Sequence, residues 1–334
     1  MSFIPRFCPF TACPSRSSGH FRLRRRGFYR RKCDGRSIQR FQCMECSRFF
    51  SVQTFRLDYR LHNPRLHLQL WRDFISKVTH RQAARLLGCS RKTVAHRLEL
   101  LGRHCRAFHA RVLAEAAGRG GIGGTFQLDE LETFEHSRRL CPVSMPVLIE
   151  RKSFFVLYTE AVALPARGNL TLRDRERKQE RDRCHGKRRS GSRAAVGRAF
   201  EVLRAVHAPR GIVRVQTDRK TSYASSLERL FGSRVAHRRC SSKLERDRRN
   251  PLFPINHTLA TMRDGISRLV RRNWGASKLR GRLTRHAWIW IAWRNYVRGI
   301  TNKAPRITPA MVLGVTDRRW RREELLAWRV FAAE

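Results

Sequence analysis

The chain has 334 residues, of which 72 are Lys or Arg and 26 are Asp or Glu, so its formal net charge is +46 at pH 7. Hydrophobic residues make up 41% of the chain, which is enough for a buried core and excludes a disordered basic tail. A positive charge so far beyond what solubility requires predicts a polyanionic partner, nucleic acid above all.

The N-terminal residues lack the long apolar core that follows the basic residues of a signal peptide. The most apolar run, residues 287–293, ends after seven residues, whereas a membrane span needs about 20. We therefore expect no membrane segment and a cytoplasmic protein. Five of the ten cysteines precede residue 47, which favours an intracellular zinc site over disulfides.

The first segment, residues 1–52, contains two closely spaced cysteine pairs. They are Cys8 with Cys13 and Cys43 with Cys46. The second pair lies in residues 38–50, which predict a strand, a tight turn and another strand. Four thiolates at such turns form a closed tetrahedral zinc site, so the segment predicts a zinc ribbon. Cys33 is a competing ligand and His20 a more distant one. The alternative is a basic arm with incidental cysteines.

The second segment, residues 53–117, predicts a helical DNA-binding domain in which residues 79–98 have a helix-turn-helix pattern. Its two helices bury Ala84, Leu87, Val94 and Leu98. Gly88 permits the turn, and Ser90 caps the second helix. The following residues, 118–124, are rich in glycine but lack the lysine of a phosphate-binding loop, so they predict a hinge.

Basic side chains cluster near the N-terminal and outer part of the second helix. They are Arg91, Lys92, His96 and Arg97. A recognition helix presents such side chains to DNA. The alternative is an ordinary helical hairpin with a solvated basic face.

The third segment, residues 125–315, predicts an α/β domain, followed by a C-terminal helix over residues 316–334. Its expected strands are 125–129, 143–149, 153–164, 212–217 and 234–237. Its expected helices are 193–206, 222–231 and one that starts near residue 254. A basic insertion, residues 171–193, predicts a mobile or disordered loop. Three antiparallel strands followed by alternating helices and strands form a mixed five-stranded sheet of RNase H-like order.

Aspartates end the first and fourth of these strands, at Asp129 and Asp218. In the RNase H-like order these two strand ends lie side by side, so the carboxylates should meet across one cleft. Such a pair can hold a hard divalent cation against a phosphodiester. The alternative is that both carboxylates pair with arginines. We expect Glu130 and Glu132 to be spectators or to support the ligands.

Taken together, these features resemble the DDE-type transposases of bacterial insertion sequences, in the branch with an N-terminal zinc ribbon. The resemblance covers most of the chain and also includes a block of residues after the last strand. The block comprises Asn256, His257, Thr258, Arg263, Arg268, Leu269, Ser277 and Lys278. The order and spacing of all these pieces together are more specific than any one of them.

The resemblance implies a third acid after the last strand, where this chain has Asn256. An amide oxygen can ligate Mg²⁺, though more weakly than a carboxylate. The other candidate is Asp264. The apolar positions of this helix are Leu259, Met262, Ile266, Leu269 and Val270. They leave Asp264 on the opposite, solvent side and Asn256 at the edge of the buried face, which favours Asn256. Asn256 could also be a simple helix cap, and Asp264 part of a solvated face.

The resemblance implies a DNA transposase with Mg²⁺ or Mn²⁺ at the catalytic site and Zn²⁺ at the ribbon. Terminal repeats and target DNA would be its partners, and a homo-oligomer would assemble on DNA. Arg263 and Lys278 are candidates to bind phosphates or the ends of the element, and the alternative is that they belong to a solvated basic face. The rival hypotheses are an inactive or domesticated transposase that only binds DNA, a structure-selective nuclease, and a zinc-ribbon transcription factor. The last leaves the two strand-end aspartates unexplained.

Overall fold

A computed structural model of the chain describes residues 3–241, 243–245, 247–270, 275 and 277–329. Its contacts divide the chain into two compact units: the described parts of Met1–Gln69 with Arg321–Glu334, and those of Leu70–Trp320. The fold is mixed α/β, with a three-stranded antiparallel sheet in the first unit and a six-stranded mixed sheet in the second. The mixed α/β class expected from the sequence is therefore confirmed.

The helices, in chain order, are α1 (Ser15–Ser18), α2 (Leu66–Ile75), α3 (His80–Leu86), α4 (Arg91–Gly118), α5 (Leu172–His185), α6 (Ser192–Val206), α7 (Thr221–Phe231), α8 (Phe253–Gly265), α9 (Arg280–Ala292), α10 (Pro309–Val312) and α11 (Arg322–Ala327). The strands are β1 (Leu23–Arg30), β2 (Ser37–Cys43), β3 (Phe49–Ser51), β4 (Thr125–Phe134), β5 (Pro142–Glu150), β6 (Val156–Thr159), β7 (Val162–Ala163), β8 (Val213–Thr217) and β9 (Val235–Arg239). Of the predicted C-terminal helix, residues 330–334 lie outside the described residues.

The first unit has a small aromatic core beside its sheet. Strand β2 lies between β1 and β3, and Phe41 pairs with Phe50 across the β2–β3 ladder. Phe50 packs edge-on against Phe55 at 5.9 Å between ring centroids. The strand, turn and strand predicted over residues 38–50 are thus present as β2 and β3. So few buried rings are a small core for a separate unit, which makes additional cross-linking important for its stability.

The large sheet has the strand order β6-β5-β4-β8-β9, and β7 also pairs with β5. Strand β4 is antiparallel to β5 and parallel to β8, which is parallel to β9. Strands β4 and β8, which correspond to the first and fourth strands predicted from the sequence, are neighbours in this sheet, as expected. The expected strand over residues 153–164 is instead split into β6 and β7. The split occurs where the amide of Ala161 donates to Thr284 Oγ1 at 2.9 Å and so leaves the ladder.

Helices α3 and α4 form the helix-turn-helix geometry expected over residues 79–98. The hydroxyl of Thr79 accepts a hydrogen bond from the amide of Gln82, and Ser90 accepts one from the amide of Thr93 at 3.1 Å. Gly88, between the helices, has φ +58°, a conformation that glycine adopts without strain. The second helix then continues for 28 residues and packs against α9. The two helices therefore belong to the same unit as the large sheet and not to a separate domain.

Two expectations for the connecting segments are wrong. The basic insertion contains helix α5, capped by Thr171, whose hydroxyl accepts a hydrogen bond from Asp174 N. The glycine-rich residues 118–124 are packed against the chain after α6. The amide of Ile122 donates to Val206 O at 2.8 Å, and Ala208 N donates to Ile122 O at 3.0 Å. This stretch is therefore fixed in place and does not act as a free hinge.

Within the described part of the chain, no helix has the length and apolarity needed to cross a membrane.

Candidate functional site

Four of the five cysteines in the first unit come together, two from the residues before β1, one from the end of β2 and one from the turn between β2 and β3. Cys8 Sγ lies 3.7 Å from Cys46 Sγ, and Cys13 Sγ lies 3.7 Å from Cys43 Sγ. All four sulfurs lie within 4.8 Å of one another. Zinc–sulfur bonds of about 2.3 Å in a tetrahedron place neighbouring sulfurs about 3.8 Å apart. The cluster therefore has the composition and spacing of a structural zinc site.

The thiols sit in an apolar environment that suits a closed metal site. Cys8, Cys13 and Cys43 are buried together with Phe41 and Phe50. The competing ligands named from the sequence stay outside the cluster, because Cys33 and His20 are both exposed. The structure thus selects the ligand set favoured by the sequence. The bound metal itself stays a prediction.

In the large sheet, β4 and β8 carry the same triplet, Gln-x-Asp, in register. Gln127 of β4 is paired with Gln216 of β8, and their side chains are hydrogen-bonded, with Gln127 Nε2 donating to Gln216 Oε1 at 2.8 Å. Side chains alternate between faces along a strand, so Asp129 and Asp218 lie on the same face as these glutamines, two positions further on. The last pair of this parallel ladder is Leu128 with Thr217, and the next residue in each case is an aspartate, Asp129 or Asp218.

Helix α8 begins on this same face because Gln127 holds its first turn. The amide of Ile255 donates to Gln127 Oε1 at 3.0 Å, and Gln127 Nε2 also donates to Pro251 O at 2.7 Å. Asn256, the next residue in the helix, is half-buried. Two turns on, Arg263 donates to the backbone oxygen of Glu132 at 3.0 Å. The helix therefore runs along β4 and carries Asn256 on the aspartate side of the sheet.

The other candidate for a third ligand, Asp264, points away from this face. Its side chain is 82% exposed and forms an ion pair with Lys77 at 2.8 Å. The ammonium of Lys77 lowers the pKa of this carboxyl. The structure therefore places Asp264 on a solvated face, as the helix phase predicts. Of the two candidates, Asn256 stays the one proposed as the third metal ligand.

Glu130 points to the opposite face of the sheet from Asp129 and is the best-connected carboxylate near the site. Its oxygens accept hydrogen bonds from Ser144 at 2.5 Å, Ser192 at 2.7 Å and the Tyr223 hydroxyl at 2.9 Å. It also forms an ion pair with Lys220. Burial acts to raise the pKa of Glu130. The Lys220 ammonium and the hydroxyls of Ser144 and Ser192 outweigh this effect, so the pKa lies below its ordinary value. Glu130 is therefore an anchor between β4, β5, α6 and α7, a role that the sequence did not reveal.

The residues after β8 connect this anchor to Asp218. The amide of Lys220 donates to Asp218 Oδ1 at 3.0 Å, while its ammonium contacts Glu130. Burial raises the pKa of Tyr223, and the charges of Glu130, Asp129 and Asp218 raise it further. All three carboxylates thus lie within electrostatic reach of one hydroxyl. The sequence contained one signal for this arrangement: Lys220 and Tyr223 follow the strand-end Asp218 by two and five residues.

The donor set on the α8 face consists of hard oxygen ligands. Asp129 and Asp218 supply carboxylates, and Asn256 can supply an amide oxygen, which is the ligand chemistry that Mg²⁺ and Mn²⁺ prefer. Among the residues that the structure describes, the four cysteines form the one group of three or more His, Cys, Asp or Glu side chains able to hold a metal ion.

The side chains predicted to bind DNA do not all reach the surface. Arg91, Lys92 and His96 are exposed on the first turns of α4, and Lys278 is exposed beside them, where all four line one cavity. Arg97 is only 5% exposed, so the expectation that it faces DNA is wrong. It lies one turn after Val94 and one turn before Leu101, on the packed face of the helix.

Comparison of the sequence with known protein-family models and with curated proteins finds no match.

Proposed function

We propose that the chain is a metal-dependent DNA transposase, which binds the ends of its own element and carries out phosphodiester hydrolysis and strand transfer. The observation that carries the proposal is the register of β4 and β8. Its last pair, Leu128 with Thr217, directly precedes Asp129 and Asp218, and α8 begins against Gln127 of the same ladder. The neighbouring β4 and β8, which correspond to the first and fourth predicted strands, support an RNase H-like catalytic domain.

Asp129, Asp218 and Asn256 would hold the metal, which when bound activates a nucleophilic oxygen and stabilises the leaving oxygen of an in-line displacement. The protein prepares this site by fixing its carboxylates. Asp129 Oδ1 accepts a hydrogen bond from the amide of Glu130 at 2.7 Å, and Asp218 Oδ1 accepts one from Lys220 at 3.0 Å. Arg263, whose guanidinium donates to the backbone oxygen of Glu132, would bind a DNA phosphate.

Three features support DNA as the substrate. The net charge of +46 calls for a polyanion. The exposed Arg91, Lys92 and His96 occupy the outer side of a capped helix that follows a tight turn, as in recognition helices. The four-cysteine cluster gives a second, separate unit of the kind that zinc stabilises in DNA-binding proteins. Joining two DNA ends would require a homo-oligomer on DNA.

A DNA-binding protein without catalytic activity is the second candidate, favoured by one observation. The third acid of the resembling enzymes is replaced by Asn256, and the nearest alternative, Asp264, is engaged with Lys77 at the surface. An amide binds Mg²⁺ more weakly than a carboxylate does. Such a protein would bind terminal repeats without cutting them.

The deciding experiment is a strand-cleavage assay on DNA that carries the inverted repeats flanking the gene, with Mg²⁺ or Mn²⁺. We expect the wild type to nick the repeat ends, and Asp129→Asn and Asp218→Asn to lose cleavage while still binding DNA, because each removes a charged ligand. Asn256→Ala should also lose cleavage. Asp264→Asn is the matched control and should cleave like the wild type.

Binding of the repeats without cleavage by the wild type, in either metal, would establish the non-catalytic candidate. Cleavage that survives in Asp218→Asn would exclude the proposed site altogether. Cleavage that is lost in Asp264→Asn but retained in Asn256→Ala would exchange the two candidates for the third ligand.

A further inference from the structure

A cavity of about 640 Å³ opens between the start of α3, the first turns of α4 and several described residues that lie between α8 and α9, which are Ser267, Arg268, Gly275, Lys278 and Leu279. Its described lining includes six arginine or lysine side chains but a single carboxylate, that of Glu99. This carboxylate is already shared between Arg285, at 3.4 Å, and Arg282, at 3.9 Å. The cavity therefore carries a large excess of positive charge.

Arg268 lines this cavity and forms no ion pair with a carboxylate among the described residues. Its Nη1 donates to Ser277 Oγ at 3.3 Å, and its Nη2 donates to His80 Nε2 at 3.2 Å. Its Nε is buried without a hydrogen-bond partner in the described part of the chain. Burial and the nearby charge of Arg282 lower the pKa of Arg268 to about 10. A guanidinium in such a setting is stabilised when an anion enters.

His80 does not add a positive charge to the cavity, as its hydrogen bond with Arg268 shows. The guanidinium can only donate, so His80 Nε2 must accept and the ring must be neutral. Burial and the charges of Arg268 and Arg282 lower the pKa of His80 to about 3. His80 therefore orients Arg268 at neutral pH and leaves the positive charge on the arginines and lysines.

The first turn of α4 adds a second source of positive potential to the same space. Arg91 and Lys92 begin this 28-residue helix, and both line the cavity. The amide groups at a helix N-terminus carry partial positive charge and favour phosphate groups. Arginine also presents a planar fork that matches phosphate oxygens. These features suit a compact, multiply negative group better than an extended carboxylate side chain.

We propose that this cavity binds one phosphate group, with Arg268 as its central ligand and Lys278 and Arg91 at its mouth. A backbone phosphate of DNA and a free phosphate are the two possible sources, and the experiment below distinguishes them. The site would join the helix-turn-helix to the segment that follows α8. The inference extends the proposed DNA binding, but it does not depend on the metal-dependent chemistry.

The first arm measures the affinity of the full chain for a labelled duplex by fluorescence anisotropy across about 50 to 200 mM salt. If the cavity holds a backbone phosphate, Arg268→Gln should reduce the slope of log affinity against log salt by about 0.9. Lys278→Gln, at an exposed position, should change it in the same direction and serves if Arg268→Gln does not fold. Arg103→Gln is the charge-matched control, because Arg103 is exposed on the same helix but does not line the cavity.

The second arm compares the melting temperature in inorganic phosphate and in chloride at equal ionic strength. Phosphate should raise the melting temperature of the wild type and of Arg103→Gln, but not that of Arg268→Gln or Lys278→Gln. Stabilisation by phosphate with an unchanged salt slope in the cavity variants would assign the site to a free phosphate compound. No phosphate effect, together with equal slopes in all variants, would overturn the proposal. Failure of the cleavage assay alone would leave it standing.

Discussion

At the scale of single residues, Glu130 differs from its neighbours on β4 in the number of groups that it binds. Asp129 faces α8, and Glu132 is exposed in an ion pair with Arg167. Glu130 is instead enclosed by Lys220, Tyr223 and two serine hydroxyls. Because the amide of Lys220 also donates to Asp218, this lysine connects Glu130 to Asp218.

We expect Glu130→Gln to destabilise the protein by about 1–3 kcal/mol, because it removes the charge of a carboxylate that is only 9% exposed and that accepts hydrogen bonds from Ser144, Ser192 and Tyr223. The folded-state pKa of Glu130 is lowered from 4.5, so its contribution is complete above that value and is lost as pH falls through the folded pKa. Chemical denaturation at several pH values measures both effects. In Glu130→Gln this part of the acid dependence should disappear.

Glu132→Gln is the matched control, two residues along the same strand. Its ion pair is exposed, so its loss should cost about 1 kcal/mol or less. Equal free energies of unfolding for the two variants would show that Glu130 is not an anchor.

Sequence reasoning located the aspartates but not this anchor. An apolar run that ends in Asp-Glu marks both side chains as candidates, and only the register and the helices on each face separate their roles. The burial of Arg97, in contrast, could have been predicted from the sequence, because Arg97 shares a helix face with Val94 and Leu101. The cavity around Arg268 brings residues near positions 80 and 268 together, and no local pattern encodes such a pairing.

At the scale of elements, helices α4 and α9 approach closely at Gly102. A β-carbon built at this position would lie 2.5 Å from the β-carbon of Arg285 and 2.7 Å from its backbone. The glycine thus permits the contact between the two helices. The glycine at the end of the same helix, Gly118, has nothing within 4 Å.

We expect Gly102→Ala to destabilise the protein by about 1–3 kcal/mol, because the helices must separate to admit the methyl group. Gly118→Ala should be neutral or stabilising by up to about 1 kcal/mol, since alanine has the higher helix propensity. Thermal denaturation of both variants tests the pair. Equal melting temperatures would contradict the close approach.

The three-stranded sheet depends on its cysteine cluster in the same way that other small units depend on metals. We expect one zinc ion per chain by atomic spectroscopy, and loss of this ion in Cys43→Ser. Amide hydrogen exchange over β1 to β3 should then accelerate in the full-length variant. Cys33→Ser, at an exposed position, should retain both zinc and protection. A zinc content that Cys43→Ser does not change would refute the site.

The strands and most helices could be predicted because their apolar residues follow the period of the element. Helix α5 could not, because it buries no residue and rests on polar contacts such as the Lys178–Asp182 ion pair at 2.8 Å. Its composition is that of a disordered segment. The prediction of a hinge at the glycine-rich residues 118–124 has the opposite problem. These residues form backbone hydrogen bonds, which composition does not report.

At the scale of the whole molecule, both units present basic surface. Strand β1 exposes Arg24, Arg25 and Arg30 in the first unit, and the cavity around Arg268 concentrates charge in the second. Each cation that neutralises a DNA phosphate adds to the salt dependence of binding. The affinity of the chain for DNA should therefore draw on both units and weaken steeply as salt is added.

Helix α4 gives the second unit a mechanical property. At about 1.5 Å per residue, its 28 residues form a continuous helix roughly 42 Å long, and the cavity around Arg268 lies at its N-terminal end. A tilt of only about 5° moves the far end of such a helix by about 4 Å, close to the rise of about 3.4 Å between successive nucleotides of a DNA strand. On the proposed DNA binding, the packing of α4 on α9 would fix the direction of this helix, so that DNA bound at Arg91 would not shift by a single nucleotide relative to the rest of the unit.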